Sequence, residues 1–259
     1  MSHPYFERAR YPRVLAHRGL ITGAGADSGI WENTAAAFAA AHAAGAEYVE
    51  TDCRVTADGD VVLFHDERLT RMLKDHRAVS QVRTRELRER FAAHGGLLTV
   101  GEMLEMFPET RFNIDVKTDA AAQVLGPIIA PHAHRVLVTS FVDSRRERAV
   151  SAVLAAGAKI RPATSAGQRT TMRVRAASAV GLSAAGALRG IDALQIPERF
   201  GALRVLTPSL LRAARRSGVE VHVWTVNEPA EMRRLIGLGA DGVVTDRADL
   251  ALKALPAAF

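Results

Sequence analysis

The chain has 259 residues, 48% hydrophobic and 24% charged, with a formal net charge of +6 and a pI near 10.1. No apolar run reaches the roughly 18 to 20 residues that cross a bilayer, which argues against stable membrane insertion, and the single cysteine, Cys53, excludes an internal disulfide. Only 5% of residues are aromatic, and no basic segment is interleaved with stacking rings, so no nucleic-acid partner is expected. The positive balance still favours an anionic partner, and either a membrane surface or a phosphorylated small molecule satisfies it. The first residues, "MSHPYFERARYPR", lack the apolar core and small-residue cleavage site of a secretory leader, so a cytoplasmic location is expected.

In chain order, the first strand pattern is "RVLAH" (13–17), followed by a glycine-rich stretch and the helix pattern "NTAAAFAAAHAAG", with Asn33 or Thr34 as cap and Gly45 as stop. "YVETDCRV" (48–55) is the second strand. The Asp-Gly in "ADGD" then predicts a tight hairpin back into "VVLFHDE". Residues 67–98 are charge-rich without a clear strand and read as an insertion before the helix "TVGEMLEMF". Further strands follow at "RFNIDVK" (111–117), "RVLVTSF" (135–141), "AKIRPAT" (158–164), "ALQIP" (193–197), "EVHVWTV" (220–226) and "DGVVTD" (241–246). Helix patterns lie between most of them, including "EPAEMRRLIGLG" with Pro229 in its first turn. Alternating strand and helix imply a parallel sheet, and eight such units over this length predict an α/β fold of the (β/α)8 TIM-barrel class. One domain over 1–259 is expected, with the hairpin after the second strand and the small insertion at about 67–98.

If Asp58 and Gly59 are the two central residues of the hairpin turn, paired positions sum to 117 and Asp52 lies opposite His65. Directly opposed residues share a face with Cβ atoms roughly 4.5 to 5.5 Å apart, and the strand period of two adds Glu50 to that face. Glu-x-Asp on one strand supplies the hard oxygens that Mg2+ or Ca2+ prefers. On a solvated strand such a pair would be ordinary surface, but a barrel strand's inner face meets solvent only at its C-terminal rim. Asn113, Asp115 and Lys117 share one face of "RFNIDVK" against Phe112, Ile114 and Val116 on the other, and a polar inner face must look into a site. His17 ends the first strand at the rim, with Arg18 next; two rim histidines, His17 and His65, suit acid and base work near neutral pH. His222 sits two residues deeper than Trp224 and is assigned to core packing, whereas Trp224 is either core or pocket wall.

The glycines of "GLITGAGADSG" invite a dinucleotide-binding reading. Gly23, Gly25 and Gly29 give GxGxxxG, one residue too long, and they follow the strand by six residues instead of forming the strand-to-helix turn that presents amides to a pyrophosphate. That reading fails on context.

Taken together, "HRG", "ENT", "ETD", "FHD", "NIDVK", "VWTVN" and "GADGVVTD", in this order from about 14 to 250, resemble the glycerophosphodiester phosphodiesterase family. The resemblance implies a (β/α)8 barrel with an insertion after the HD motif, cleaving glycerophosphodiesters to sn-glycerol 3-phosphate and an alcohol with a divalent cation (Mg2+ or Ca2+, with Mn2+ as a further candidate). It implies His17 and His65 as general acid and base in unassigned order, and Arg18 and Lys117 on phosphate. Glu50, Asp52 and Asp115 become metal ligands, and Asn33, Gln195 and Trp224 pocket residues. The chain departs from the family where Asp115 replaces the usual glutamate, where the loop between HRG and ENT is long, and where Trp31 replaces the proline before ENT. Residues 20–31 are therefore expected to shape substrate access. A lysophospholipase D-type phosphodiesterase and a non-catalytic phosphate-binding barrel are the alternatives.

Overall fold

The computed structural model describes residues 3–257. Its strands are β1 (Arg13–His17), β2 (Tyr48–Val55), β3 (Val61–Leu63), β4 (Arg111–Val116), β5 (Val136–Thr139), β6 (Ala163–Thr164), β7 (Ala193–Ile196), β8 (Arg199–Phe200), β9 (Leu203–Arg204), β10 (Glu220–Val223) and β11 (Gly242–Thr245). Eight of them are parallel neighbours in the order β6-β5-β4-β2-β1-β11-β10-β7, and a parallel bridge between Ser165 and Ala193 brings the two ends of the row together. This is the predicted (β/α)8 barrel. Each predicted barrel strand is present, and "AKIRPAT" is cut to Ala163–Thr164 because Pro162 has no amide to give a ladder.

The alternation of side chains explains two separate cores. Outward residues such as Val14, Val49, Phe112, Ile114, Val116 and Val138 pack under the helices. Inward residues Leu15, Tyr48, Leu137, Ala163, Ala193 and Val244 fill the lower barrel, where Tyr5 and Phe6 of the N-terminal segment close its floor. Chemistry is thereby confined to the upper, C-terminal end.

The hairpin differs from expectation by one residue. Val55 pairs with Val61 and Cys53 with Leu63, so paired positions sum to 116, and the amide of Phe64 bonds the carbonyl of Asp52. The turn holds three residues, Ala57 to Gly59, with Gly59 at φ +92°. Asp58 does not sit at the centre of a two-residue turn. Its carboxylate accepts from the Thr56 hydroxyl and from the amide of Thr84, which ties the turn to the start of the helix Thr84–Phe91. Asp52 and His65 are therefore not directly opposed, and a one-residue shift exchanges the faces of the returning strand.

Residues 67–98 form the short helices Thr70–Leu73 and Thr84–Phe91, with 3-10 turns at Val79–Gln81 and Ala92–His94. They bury a satellite core of Val62, Phe64, Leu69, Leu87, Phe91 and Leu97. The Phe91 ring packs edge-on against Trp31 at 5.0 Å and Phe64 at 6.1 Å. Phe91→Ala is expected to lower stability by about 3 kcal/mol, read as the loss in urea-unfolding free energy, because the cavity lies between two rings that cannot both follow it.

Candidate functional site

Parallel register assembles the site. His17 pairs with Glu50 and Glu50 with Asn113 in one inward row, and Asp52 pairs with Asp115 and Asp115 with Thr139 in the next, so two adjacent rows on β1, β2, β4 and β5 share the inner face. These side chains line a cavity of about 250 Å³ with Arg18, His65, Lys117, Gln195 and Trp224. The polar face predicted for β4 does look into it, and His65 reaches it although it lies beyond the end of β3.

The HRG and ENT motifs interlock through two left-handed residues. Arg18 (φ +58°) turns the chain out of β1, and Gly19 follows at φ +94° where a Cβ would stand 2.8 Å from Ala37. Asn33 (φ +59°) donates its amide to the Arg18 carbonyl at 2.9 Å. Two non-glycine residues in this region cost about 1 to 3 kcal/mol each, which the surrounding bonds must hold in place. The Asn33 side chain is buried behind Asp52, donating to its Oδ2 at 3.2 Å and accepting from Thr51 at 2.7 Å. It orients that carboxylate and is not part of the cavity wall. Thr34 is the helix cap, accepting from the amide of Ala37.

Buried negative charge dominates the electrostatics. Glu50, Asp52 and Asp115 are each no more than 8% exposed. Burial, then Asp52, pushes the Glu50 carboxyl up to about 8. Burial would raise Asp52 too, but Lys117 and Arg18 outweigh it and hold it below the usual carboxylate range. Burial leaves Asp115 raised despite Lys117. Lys117 Nζ stands 2.9 Å from Asp52 and 2.5 Å from Asp115, and Arg18 Nε 3.1 Å from Asp52. Among the described residues, no three His, Cys, Asp or Glu side chains are arranged to hold a metal ion. Yet Glu50 Oε2, Asp115 Oδ1 and Asn113 Oδ1 are buried without a hydrogen-bond partner. Such orphaned hard oxygens beside a carboxylate of raised pKa fit a divalent cation.

Both histidines are oriented by carboxylates. His17 Nδ1 lies 2.6 Å from Asp246, whose other oxygen accepts from Asn227, while its Nε2 is 3.9 Å from Glu50. His65 Nδ1 lies 2.8 Å from Asp66. Arg71, from residues 67–98, bonds Asp66 at 2.6 Å and Glu32 at 2.5 Å, and Glu32 accepts from Arg18 at 3.0 Å. None of Asp246, Glu32, Asp66 and Arg71 was singled out from the sequence. The available signal for Asp246 was its place at the end of the last strand, which barrel closure sets beside the first.

Other expectations resolve simply. His222 is fully buried, 2.9 Å from Glu220, as core packing requires. Gln195 accepts from Asn113 at 3.2 Å within the cavity lining, and Trp224 is pocket wall, meeting Phe141 edge-on. Trp31 stacks on His94 at 3.6 Å, and none of residues 20–31 lines the cavity. The long loop leans on the satellite core, because Trp31 finds Phe91 and His94 there.

Residues 17–250 match the model of the glycerophosphoryl diester phosphodiesterase family. The chain belongs to this family. It is accordingly an enzyme of the phosphoric diester hydrolase class, in a family generally dependent on divalent metals. It is similar to a Mycobacterium tuberculosis protein named "Probable glycerophosphodiester phosphodiesterase 2", 35% identical over 242 residues, covering 92% of this chain and 88% of that one. Lysophospholipase D GDPD1 of Rattus norvegicus is 27% identical over 275 residues, covering 90% and 83%. The crystal structure of glycerophosphodiester phosphodiesterase from Thermotoga maritima is 25% identical, with a TM-score of 0.66 over 93% of this chain and 96% of that one.

Burial disfavours the His17 imidazolium, but the Asp246 bond and the Glu50 charge outweigh it, so its pKa is raised; Asp246 is lowered by the same bond. A raised histidine stabilises fully below its unfolded pKa and loses this as pH rises through the folded value. A lowered aspartate does so above its unfolded pKa and loses it on acidification. The pair thus stabilises fully from about pH 4 to about pH 6.5. The difference in Tm between the natural protein and Asp246→Asn should peak in that window and shrink on both sides. Arg71→Ala, which releases Asp66 and Glu32 together, should lower kcat by about tenfold with a smaller change in Tm, as loosening of oriented groups does.

Proposed function

We propose that this family member hydrolyses glycerophosphodiesters to sn-glycerol 3-phosphate and an alcohol, using a divalent cation and the His17/His65 pair. The observation that carries it is the convergence on one cavity of two carboxylate-oriented imidazoles, two cationic side chains and three buried carboxylates, of which Glu50 and Asp115 keep an orphaned oxygen. Glu50, Asp52 and Asp115 would hold the cation, and Asp115, a methylene shorter than glutamate, leaves Mg2+, Ca2+ and Mn2+ as candidates. When bound, it neutralises phosphate charge and acts as a Lewis acid.

The chain's own groups supply the rest. Arg18 and Lys117 flank the carboxylates and meet a phosphodiester anion, offsetting charge that grows toward the transition state. With Nδ1 of each histidine engaged by Asp246 or Asp66, each Nε2 is left to exchange a proton with substrate. One imidazole takes the proton of the glycerol hydroxyl next to the phosphoester, which attacks phosphorus; the other protonates the departing alcohol. Water then opens the cyclic phosphate with the histidine roles reversed.

A lysophospholipase D-type activity is the second reading. It is favoured by the apolar part of the cavity lining, Phe141, Met172, Ile196, Phe200, Val205 and Trp224, and by the relative named for that activity.

The deciding measurement is release of glycerol 3-phosphate from glycerophosphocholine, glycerophosphoethanolamine and glycerophosphoglycerol, beside release of lysophosphatidic acid from lysophosphatidylcholine. Turnover should vanish with chelator and return with Mg2+, Ca2+ or Mn2+. His17→Ala and His65→Ala should each lower kcat by about 10²- to 10⁴-fold, the usual worth of a positioned acid or base. Lipid-only turnover would select the second reading, and full activity in His17→Ala would sink the acid–base assignment. Separately, Glu50→Gln should weaken the apparent affinity for the activating cation, measured as the metal concentration giving half-maximal rate, because it removes one of three anionic donors.

A further inference from the structure

The cavity mouth carries features that a soluble diester does not require. Phe141, Val142, Met172, Phe200 and Leu203 are between 39% and 64% exposed, and three of them, Phe141, Met172 and Phe200, also line the cavity. Phe200 and Leu203 pair across the β8–β9 ribbon, joined by Gly201 and Ala202. A two-stranded ribbon is marginal by itself, and this one presents apolar side chains outward at its tip.

The same ribbon is strongly basic. Arg199 pairs with Arg204 directly across it, an arrangement of like charges that destabilises an isolated hairpin. Arg175 bonds the Arg204 carbonyl at 3.1 Å and adds a third guanidinium. Their nearby acid, Glu198, is shared between Arg204 and Arg234. Residues 165–206 contain six arginines against Asp192 and Glu198, and Asp192 is already bound by Arg161. Excess positive charge, including the exposed Arg169 and Arg173 beside Met172, is therefore concentrated in the arc that carries the apolar tip.

We propose that this rim, the β8–β9 ribbon with Phe141, Val142 and Met172, docks on an anionic phospholipid bilayer surface. Phe200 and Leu203 enter the acyl boundary while the arginines meet lipid phosphates, as long basic side chains do at interfaces. The charge complementarity selects an anionic surface over a neutral one, and the shared residues put the cavity mouth at the contact. Docking goes beyond the diesterase reading and is measured without turnover, so either can fail while the other stands.

The test is co-sedimentation of the full chain with vesicles of phosphatidylcholine alone or with about one-third phosphatidylglycerol. Binding should be at least tenfold stronger with phosphatidylglycerol and should fall as salt rises from about 50 to about 300 mM, as screening requires. A double variant Phe200→Ser, Leu203→Ser should lose at least tenfold in binding to anionic vesicles, and Arg199→Ala with Arg204→Ala should lose most of the preference for them. Circular dichroism reports whether either variant remains folded, and a folded Phe200→Lys supplies a second test of the apolar tip, since it adds charge while removing insertion. Equal binding to both vesicle types, or unchanged binding in the folded tip variants, overturns the proposal. So does a dimer in light scattering that the tip variants dissociate, because a second copy of the chain would then cover this face.

Discussion

Three buried carboxylates on neighbouring strands are the constraint around which the upper barrel is built. Side by side in low dielectric they repel, and burial alone would drive each toward its neutral form. Lys117 and Arg18 meet that charge from two sides, and the result is uneven: Asp52, touched by both, stays easily ionised, while Glu50 is pushed up to about 8. A site so balanced presents both signs of charge to one cavity, which is what the proposed reaction of a phosphodiester demands.

The backbone serves the same end. Arg18 and Asn33 adopt left-handed conformations within hydrogen-bond distance of each other, which turns Arg18 back over Asp52 and sets Asn33 behind it. The residues after the hairpin extend this scaffold, because Arg71 joins the carboxylate that orients His65 to the one that holds Arg18. Floor and rim are divided by side-chain size: Tyr5, Phe6 and Tyr48 fill the base, and the polar layer occupies the end where loops are free to vary.

Much of this was legible in local pattern. The boundaries of β1 and β2 coincide with their apolar runs, since strand periodicity and flanking turn residues are local properties. The polar face of β4 was equally readable from its period of two. The hairpin register was not: Asp-Gly is compatible with a two- or a three-residue turn, and the bonds from Asp58 to Thr56 and Thr84 decide between them. Trp31 misled for a similar reason, because its place between the HRG and ENT motifs pointed to the rim, whereas its packing partners, Phe91 and His94, come from some sixty residues further on.

By itself, then, the sequence determined the alternation of strand and helix, the inward polar residues and the ordered motifs that mark the family. All of these depend on spacing along one segment. Tertiary structure alone decided which carboxylate each cation meets, that Asn33 supports Asp52 from behind, and that Asp246 orients His17. It also decided that the glycine-rich loop leans away from the cavity while Phe141 and Phe200 form its apolar wall. Those outcomes depend on parallel register and on barrel closure, which bring together residues as far apart as 17 and 246, and no local pattern encodes a distance across the ring.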